Sequence, residues 1–336
     1  MFRRFLAVFL TLGVILFAGW MTLRRDDIPY EQLEAIYANT DSRYLAFGDD
    51  MRVHFRDVGP RGARAIILVH GFSASLHTWE PWVDNLKRDY RVISIDLPGH
   101  GLSRCINNAQ IGPAQFIETI NRVANTLEIE RFTLAGNSMG GAAAWNYALA
   151  FPRRLDGLVL VDAAGWPRTG AQSEERPLVF RLLEVDLARR LMKDLDLSPL
   201  IRGGLEDSFG DPGFVTDEMV ERYASLARAP CHREALLELV SGQGETRRQA
   251  TAELLSGIAT PTLVMHGERD NLIPYQHGEQ FAAAIPGAQL ILYPGVGHLP
   301  QEEIAELSAG DLRAFLTTRV YGVQDVALEA LPETTN

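Results

Sequence analysis

"AGNSMGGAAAWNYA", residues 135–148, sets Gly136, Ser138, Gly140 and Gly141 between an apolar run and a helix-forming one. Glycine weakens helix and strand interiors, so four small residues at this junction need a reason. Upstream, RFTLAGN reads as a buried strand; downstream, GGAAAWNYALA reads as a helix. A strand that turns at once into a helix crowds backbone against backbone, and only positions without a side chain fit there. Ser138 is then held on a tight, strained turn, with a helix N-terminus behind it that favours developing negative charge.

The same alternation continues in both directions. RYLAF and MRVHFRDVG read as a hairpin around Gly48-Asp49-Asp50. AIILVHG, RVISIDLPG, LDGLVLVDAAG, TPTLVMHGERD and AQLILYPGVGH are near-continuous Ile, Val and Leu, which suits parallel strands covered on both faces. Helical stretches at 76–88, 114–128, 139–150, 275–285 and 302–318 fall between them. The prediction is an α/β fold with a doubly wound, mostly parallel sheet. From Trp166 to about Ala250 no strand pattern occurs, whereas Leu178, Leu182, Leu183 and Leu187 recur at helical spacing. That interval predicts an inserted helical cap, with Gly203-Gly204 and GDPG at 210–213 as its turns. The expected organisation is an N-terminal anchor (1–25), a connector with a short helix (26–42), the first part of the core (43–165), the cap (166–250), the second part of the core (251–320) and a tail (321–336).

Bulk properties narrow the function. The 336 residues suit one large domain with an insertion, and a net charge of −11 argues against a nucleic-acid partner. The two cysteines, Cys105 and Cys231, form no zinc-ligand spacing and are expected as free thiols. Residues 5–23, FLAVFLTLGVILFAGWMTL, carry no charge and lie between Arg3-Arg4 and Arg24-Arg25. As a helix they would span roughly 28 Å, close to a hydrocarbon core. No pair of small residues marks a cleavage site, so the expectation is an uncleaved single-pass membrane anchor, the domain facing the periplasm or exterior.

Ser138 sits in the strand–turn–helix context of a G-x-S-x-G nucleophile elbow. A serine hydroxyl needs a base, and the base needs an acid to fix its tautomer. His298, in PGVGHLPQEE after the last strand, is the expected base. Asp270, in HGERDNLIP after the preceding strand, is the expected acid, at the carboxyl edge where ligands bind in such sheets. Asp162 is a rival acid, read instead as capping a loop, and Glu268 a weaker one, read as solvent-facing. An oxyanion hole needs two backbone N–H groups. Met139, after the serine, and Phe72, in the turn LVHGFSAS, are expected to supply them, with His70 a structural turn residue.

These motifs carry a resemblance. HGFSASLHTWEPW, DLPGHGLS, GNSMGG, GERDNLIP and GVGHLP, in that order, make residues 43–318 resemble the α/β-hydrolase superfamily, in its capped lipase/esterase-like branch. Haloalkane dehalogenases and epoxide hydrolases place an aspartate at the elbow, where this chain has Ser138. GNSMGG also resembles the meta-cleavage-product hydrolases, which split a carbon–carbon bond. Those enzymes have a glycine-rich oxyanion turn, where this chain has Phe72-Ser73-Ala74-Ser75, and typically a tryptophan where His266 stands. The resemblance therefore implies a serine hydrolase acting on a small-molecule carboxylic ester, without cofactor or metal. The cap and Trp166 favour an apolar group on the substrate. The alternatives are a carbon–carbon bond hydrolase and a catalytically silent hydrolase-fold binding protein.

Overall fold

The computed structural model describes residues 11, 17–47, 51–104, 111–167, 193–241 and 248–322. Its centre is an eight-stranded sheet: β1 (Ser42–Phe47), β2 (Met51–Val58), β3 (Ala65–Val69), β4 (Arg91–Ile95), β5 (Phe132–Asn137), β6 (Leu155–Val161), β7 (Thr262–Gly267) and β8 (Gln289–Tyr293). The spatial order is β1-β2-β4-β3-β5-β6-β7-β8. Strand β2 pairs antiparallel with β1 and β4, and every other pairing is parallel.

Among the described helices are α1 (Tyr30–Tyr37), α2 (Glu80–Leu86), α3 (Pro113–Thr126) and α4 (Met139–Ala150). Between β6 and β7 lie α5 (Ser198–Ser208), α6 (Asp217–Ala227), α7 (His232–Ser241) and α8 (Ala252–Leu255). The last three are α9 (Gln276–Ala284), α10 (Pro300–Glu303) and α11 (Ala305–Phe315). The named elements described within the insertion expected after Trp166 are thus helices, joined by turns and one isolated bridge at Leu195; the leucines at 178–187 lie outside the described residues, as do the hairpin turn at 48–50 and the tail from 323.

Alternation along the strands feeds two apolar layers. From β3, Ile67 and Val69 join Phe116, Ile120, Trp145 and Tyr147 on one face. On the other, Ile66 and Leu68 join Trp79, Trp82, Leu312 and Phe315. Burying each such side chain contributes about 1.5–3 kcal/mol, which explains why these strands read as continuous apolar runs.

Two expectations are corrected. The anchor over residues 5–23, with the membrane partnership and orientation drawn from it, is overturned: among the described residues no helix is long and apolar enough to cross a membrane. Residues 17–23 are helical, and the chain then pairs with the insertion. Arg24 bridges to Leu195, the Arg25 N–H donates to the Asp194 carbonyl, and the Leu23 carbonyl accepts from the Asp196 N–H. Residues 1–10 and 12–16 lie outside the described residues. The second correction is that Cys231 is disulfide-bonded rather than a free thiol. Cys105, the other cysteine of the sequence, lies outside the described residues. Proximity in space decides pairing, and cysteine spacing does not encode it.

The glycines of the opening stretch have the steric role expected of them. A Cβ on Gly136 would lie 2.2 Å from the Gly140 carbonyl oxygen, and one on Gly140 would lie 2.2 Å from the Val69 carbonyl oxygen. Both obstacles are backbone and cannot rotate away. Gly140→Ala is expected to destabilise the protein by about 1–3 kcal/mol. Gly203→Ala, inside α5 with open space around its Cβ, is expected to stabilise it by about 0.5–1 kcal/mol. Denaturant midpoints of the two variants check both signs.

Candidate active site

Ser138 lies between β5 and α4 with φ 55° and ψ −116°, a left-handed conformation that costs a serine of order 1–3 kcal/mol. Its own backbone holds it there. The Ser138 N–H donates to Val161 O at 3.0 Å, and the Ser138 carbonyl accepts from Ala142 and Ala164, each at 3.0 Å. The hydroxyl makes no capping bond to the helix it precedes, so it stays available for chemistry.

The turn after β3 packs directly on the serine: a Cβ on Gly71 would stand 3.1 Å from Ser138 Cβ. His70 braces that turn. Its Nδ1–H donates to Gly71 O at 2.7 Å, and its Nε2 accepts the Leu97 N–H at 3.0 Å, which assigns the tautomer and leaves neither nitrogen for base chemistry. Phe72 follows, 39% exposed. Met139 is the first residue of α4, where a helix N–H has no partner within the helix. Among the described residues neither the Phe72 nor the Met139 N–H donates a hydrogen bond.

His298 is buried on the loop after β8, and its Nδ1–H donates to Asp270 Oδ2 at 2.6 Å. Asp270 Oδ1 accepts the N–H groups of Leu272 at 2.7 Å and Ile273 at 2.9 Å. Burial alone would raise the Asp270 carboxyl. The His298 charge, hydrogen bonds from His266 and His298, and the Ile273 N–H outweigh burial and hold it well below the ordinary carboxylate range. No hydrogen bond joins Ser138 Oγ to His298 among the described residues; unliganded sites of this kind commonly have long nucleophile–base distances. The loop and the elbow are nevertheless tied, because Asn137 Nδ2 donates to His298 O at 3.0 Å.

Among the described residues neither rival acid is hydrogen-bonded to His298. Glu268 is exposed. Asp162, fully buried, accepts the Gly267 N–H at 2.9 Å through Oδ1. Burial, and after it the Asp270 charge, pushes Asp162 well above its ordinary range, so it favours its neutral form. His266 fills the space between the two acids, with Nε2 3.0 Å from Ile273 O, 3.3 Å from Asp270 Oδ2 and 3.5 Å from Asp162 Oδ1. Asp162, His266 and Asp270 place ligand atoms within 4.8 Å of one another, a spacing a metal ion would accept. Asp270 is already engaged by His298 and two N–H groups, so hydrogen bonding accounts for the cluster. A second serine–histidine–aspartate chain, Ser42 Oγ to His54 Nε2 at 2.9 Å and His54 Nδ1 to Asp96 Oδ2 at 2.7 Å, lacks an elbow. Asp96 there holds the N–H groups of Leu76 and Leu102, which makes it a loop anchor.

Sequence reasoning missed Asn137, whose side chain joins two loops, and the backbone of the insertion, where Ser208 O accepts the His298 N–H at 2.6 Å. Asn137 lies inside GNSMGG, whose reading rests on the serine and glycines alone; for the insertion the one available signal was the glycine pair Gly210 and Gly297, the first read as a turn residue and the second only as part of the His298 loop.

Comparison with known proteins agrees with this architecture. A family model described as alpha/beta hydrolase fold matches residues 64–304. A 2-hydroxy-6-oxononadienedioate/2-hydroxy-6-oxononatrienedioate hydrolase of Comamonas testosteroni is 29% identical over 280 residues, covering 80% of this chain and 93% of its own. Among solved structures, a membrane phospholipase A described as a bacterial virulence factor superposes with a TM-score of 0.69 at 23% identity, covering 94% of this chain and 98% of its own. The carboxylesterase CesB of Bacillus subtilis superposes with a TM-score of 0.68 at 22% identity, covering 85% and 95%. At those identities the two structures speak to the fold.

Proposed function

Because the chain belongs to the alpha/beta hydrolase fold family, we propose that it is a serine hydrolase of carboxylic esters. The observation that carries the reading is the 2.6 Å His298–Asp270 pair, set on a loop tied to a strained serine at a helix N-terminus. Ser138 Oγ attacks the acyl carbon while His298 Nε2 takes its proton. Asp270 holds the Nδ1 proton and offsets the charge of the imidazolium. The Phe72 and Met139 N–H groups receive the oxyanion, a contribution worth about 3–4 kcal/mol per donor in sites of this type. The alcohol leaves with the proton from His298, and water repeats the cycle on the acyl-enzyme. The half-exposed Phe72 beside the serine supports a substrate with an apolar group.

A second reading, carbon–carbon bond hydrolysis, is favoured by the 29% identity to the Comamonas hydrolase. His266 separates the readings in one respect: it is fully buried behind Asp270, where it supports the acid rather than facing a substrate. The test is turnover of p-nitrophenyl esters from acetate to palmitate beside a 2-hydroxy-6-oxo-dienoate. Ester turnover with a chain-length optimum is the expected result. Cleavage of the dienoate with no ester turnover would replace the ester reading with the second one.

A further inference from the structure

The mechanism leaves one carboxylate beside the base unused. Glu303, the last residue of α10, accepts two backbone N–H groups through Oε2: Gly297 at 2.9 Å and Gly210 at 3.0 Å. Gly297 precedes His298, whereas Gly210 belongs to the insertion, two residues beyond α5. Among the described residues these are the only hydrogen bonds of the Glu303 side chain. A surface ion pair would be worth little, but one oxygen shared by two N–H donors fixes two segments at once.

The surrounding backbone is packed to match. A Cβ on Gly297 would lie 2.5 Å from Gly210 N and from Ser208 O, and one on Gly210 would lie 2.2 Å from Gly295 O. On the opposite side, a Cβ on Gly267 would lie 2.0 Å from Gly297 O. The histidine loop is therefore layered between the end of β7 and the insertion, with bare backbone at each contact. His298 itself is bonded across the seam, its N–H donating to Ser208 O at 2.6 Å. The base thus has two mounts. Asp270 orients the ring, and the insertion, held through Glu303, sets the backbone that carries the ring.

The geometry points to Glu303 as a positioning residue that clamps the His298 loop to the insertion, so that the base is aligned with Ser138 only when the insertion is seated. This rests on the serine hydrolase reading above. It makes the Ser208–Gly210 segment part of the catalytic frame rather than a freely hinged lid, and it links contacts made by substrate on the insertion to the position of the base.

The test compares Glu303→Gln, Glu303→Ala, Glu303→Asp and Gly210→Ala in the full chain. Two rates are measured, p-nitrophenyl ester turnover and labelling of Ser138 by a fluorophosphonate. A misplacement near 1 Å costs about 100-fold, so Glu303→Ala is expected to lower kcat and the labelling rate by about 10–100-fold, with KM within about threefold. Glu303→Gln, whose amide oxygen accepts the same two N–H groups, should fall by no more than about threefold, since a neutral acceptor loses only part of the bond. Glu303→Asp keeps the charge but is one methylene too short, and should group with Glu303→Ala. Gly210→Ala leaves the carboxylate and drives the seam apart, and should do the same. The inference is overturned if Glu303→Ala or Glu303→Asp labels and turns over as the wild type does. It is equally overturned if Glu303→Gln is as impaired as Glu303→Ala, which would make charge the cause, or if Gly210→Ala is unaffected. Should Glu303→Ala not fold, the Gln and Asp pair decides. A wild type that labels at Ser138 yet hydrolyses no ester sinks the ester reading alone, and the labelling rates still judge Glu303.

Discussion

Replacing Ser138 by alanine is expected to lower ester turnover by on the order of 10⁴-fold or more, with the fold intact. The size follows from the hydroxyl having no substitute. The other side chains placed at the site, His298, Asp270, His266, His70 and Asn137, carry no hydroxyl or thiol and act through the serine or brace the loops around it. The fold should survive because the serine is held by its backbone, through Val161, Ala142 and Ala164, and its hydroxyl caps nothing. Alanine meets the same steric cost at φ 55°, so the strain is unchanged. The melting temperature is therefore expected to stay within about 1 °C, a shift that corresponds to no more than about 1 kcal/mol in a chain of this size. Turnover in the variant within tenfold of the wild type would place the nucleophile elsewhere. A wild type that turns over none of the substrates and takes no label at Ser138 would instead favour the silent hydrolase-fold alternative.

Much of this architecture is legible in the sequence because the signals are local. Eight apolar runs mark eight strands, and the crowding at Gly136 and Gly140 is visible as glycine in a strand-to-helix junction. Ser138, Asp270 and His298 each follow a strand, so a parallel sheet delivers all three to one edge. What local reading cannot reach is contact between segments remote in sequence. Ser208 O meets the His298 N–H through backbone atoms that every residue shares, so no side chain announces it. Gly210 and Gly297 did carry a trace of that contact, but a glycine kept for close approach looks the same as one kept for a turn. His266 has the same ambiguity: its type says imidazole, and only the packing shows it between two acids. Hydropathy likewise measures the N-terminal apolar run and not what the chain after it pairs with. Here Leu23 to Arg25 pair with Asp194 to Asp196.

Asparagine at position 270 is expected to lower kcat by about 10⁴-fold, although it differs from aspartate by one group. Oδ1 of Asp270 faces two fixed donors, the N–H groups of Leu272 and Ile273, while Oδ2 faces His298 Nδ1. An asparagine must turn its carbonyl oxygen to those two donors, which leaves its NH₂ group directed at Nδ1. His298 then accepts at Nδ1 and carries its proton on Nε2, where it can no longer take the proton of Ser138. The ring stays in place but in the wrong tautomer, so KM should change far less than kcat. Stability supplies an independent check with a defined sign. The folded carboxyl titrates well below the ordinary carboxylate range, so its stabilisation is present above that range and is lost as pH falls through the lower folded value. Asp270→Asn should therefore lower the melting temperature at pH 7, and the difference from wild type should shrink on acidification towards pH 3. Asp162→Asn, which preserves the neutral form favoured at that position, should cost less than about tenfold in kcat, in keeping with a residue that acts only through its neighbours. If Asp162→Asn were the crippled variant and Asp270→Asn the active one, the acid would have to be reassigned to the end of β6, and the 2.6 Å His298–Asp270 contact would be structural only.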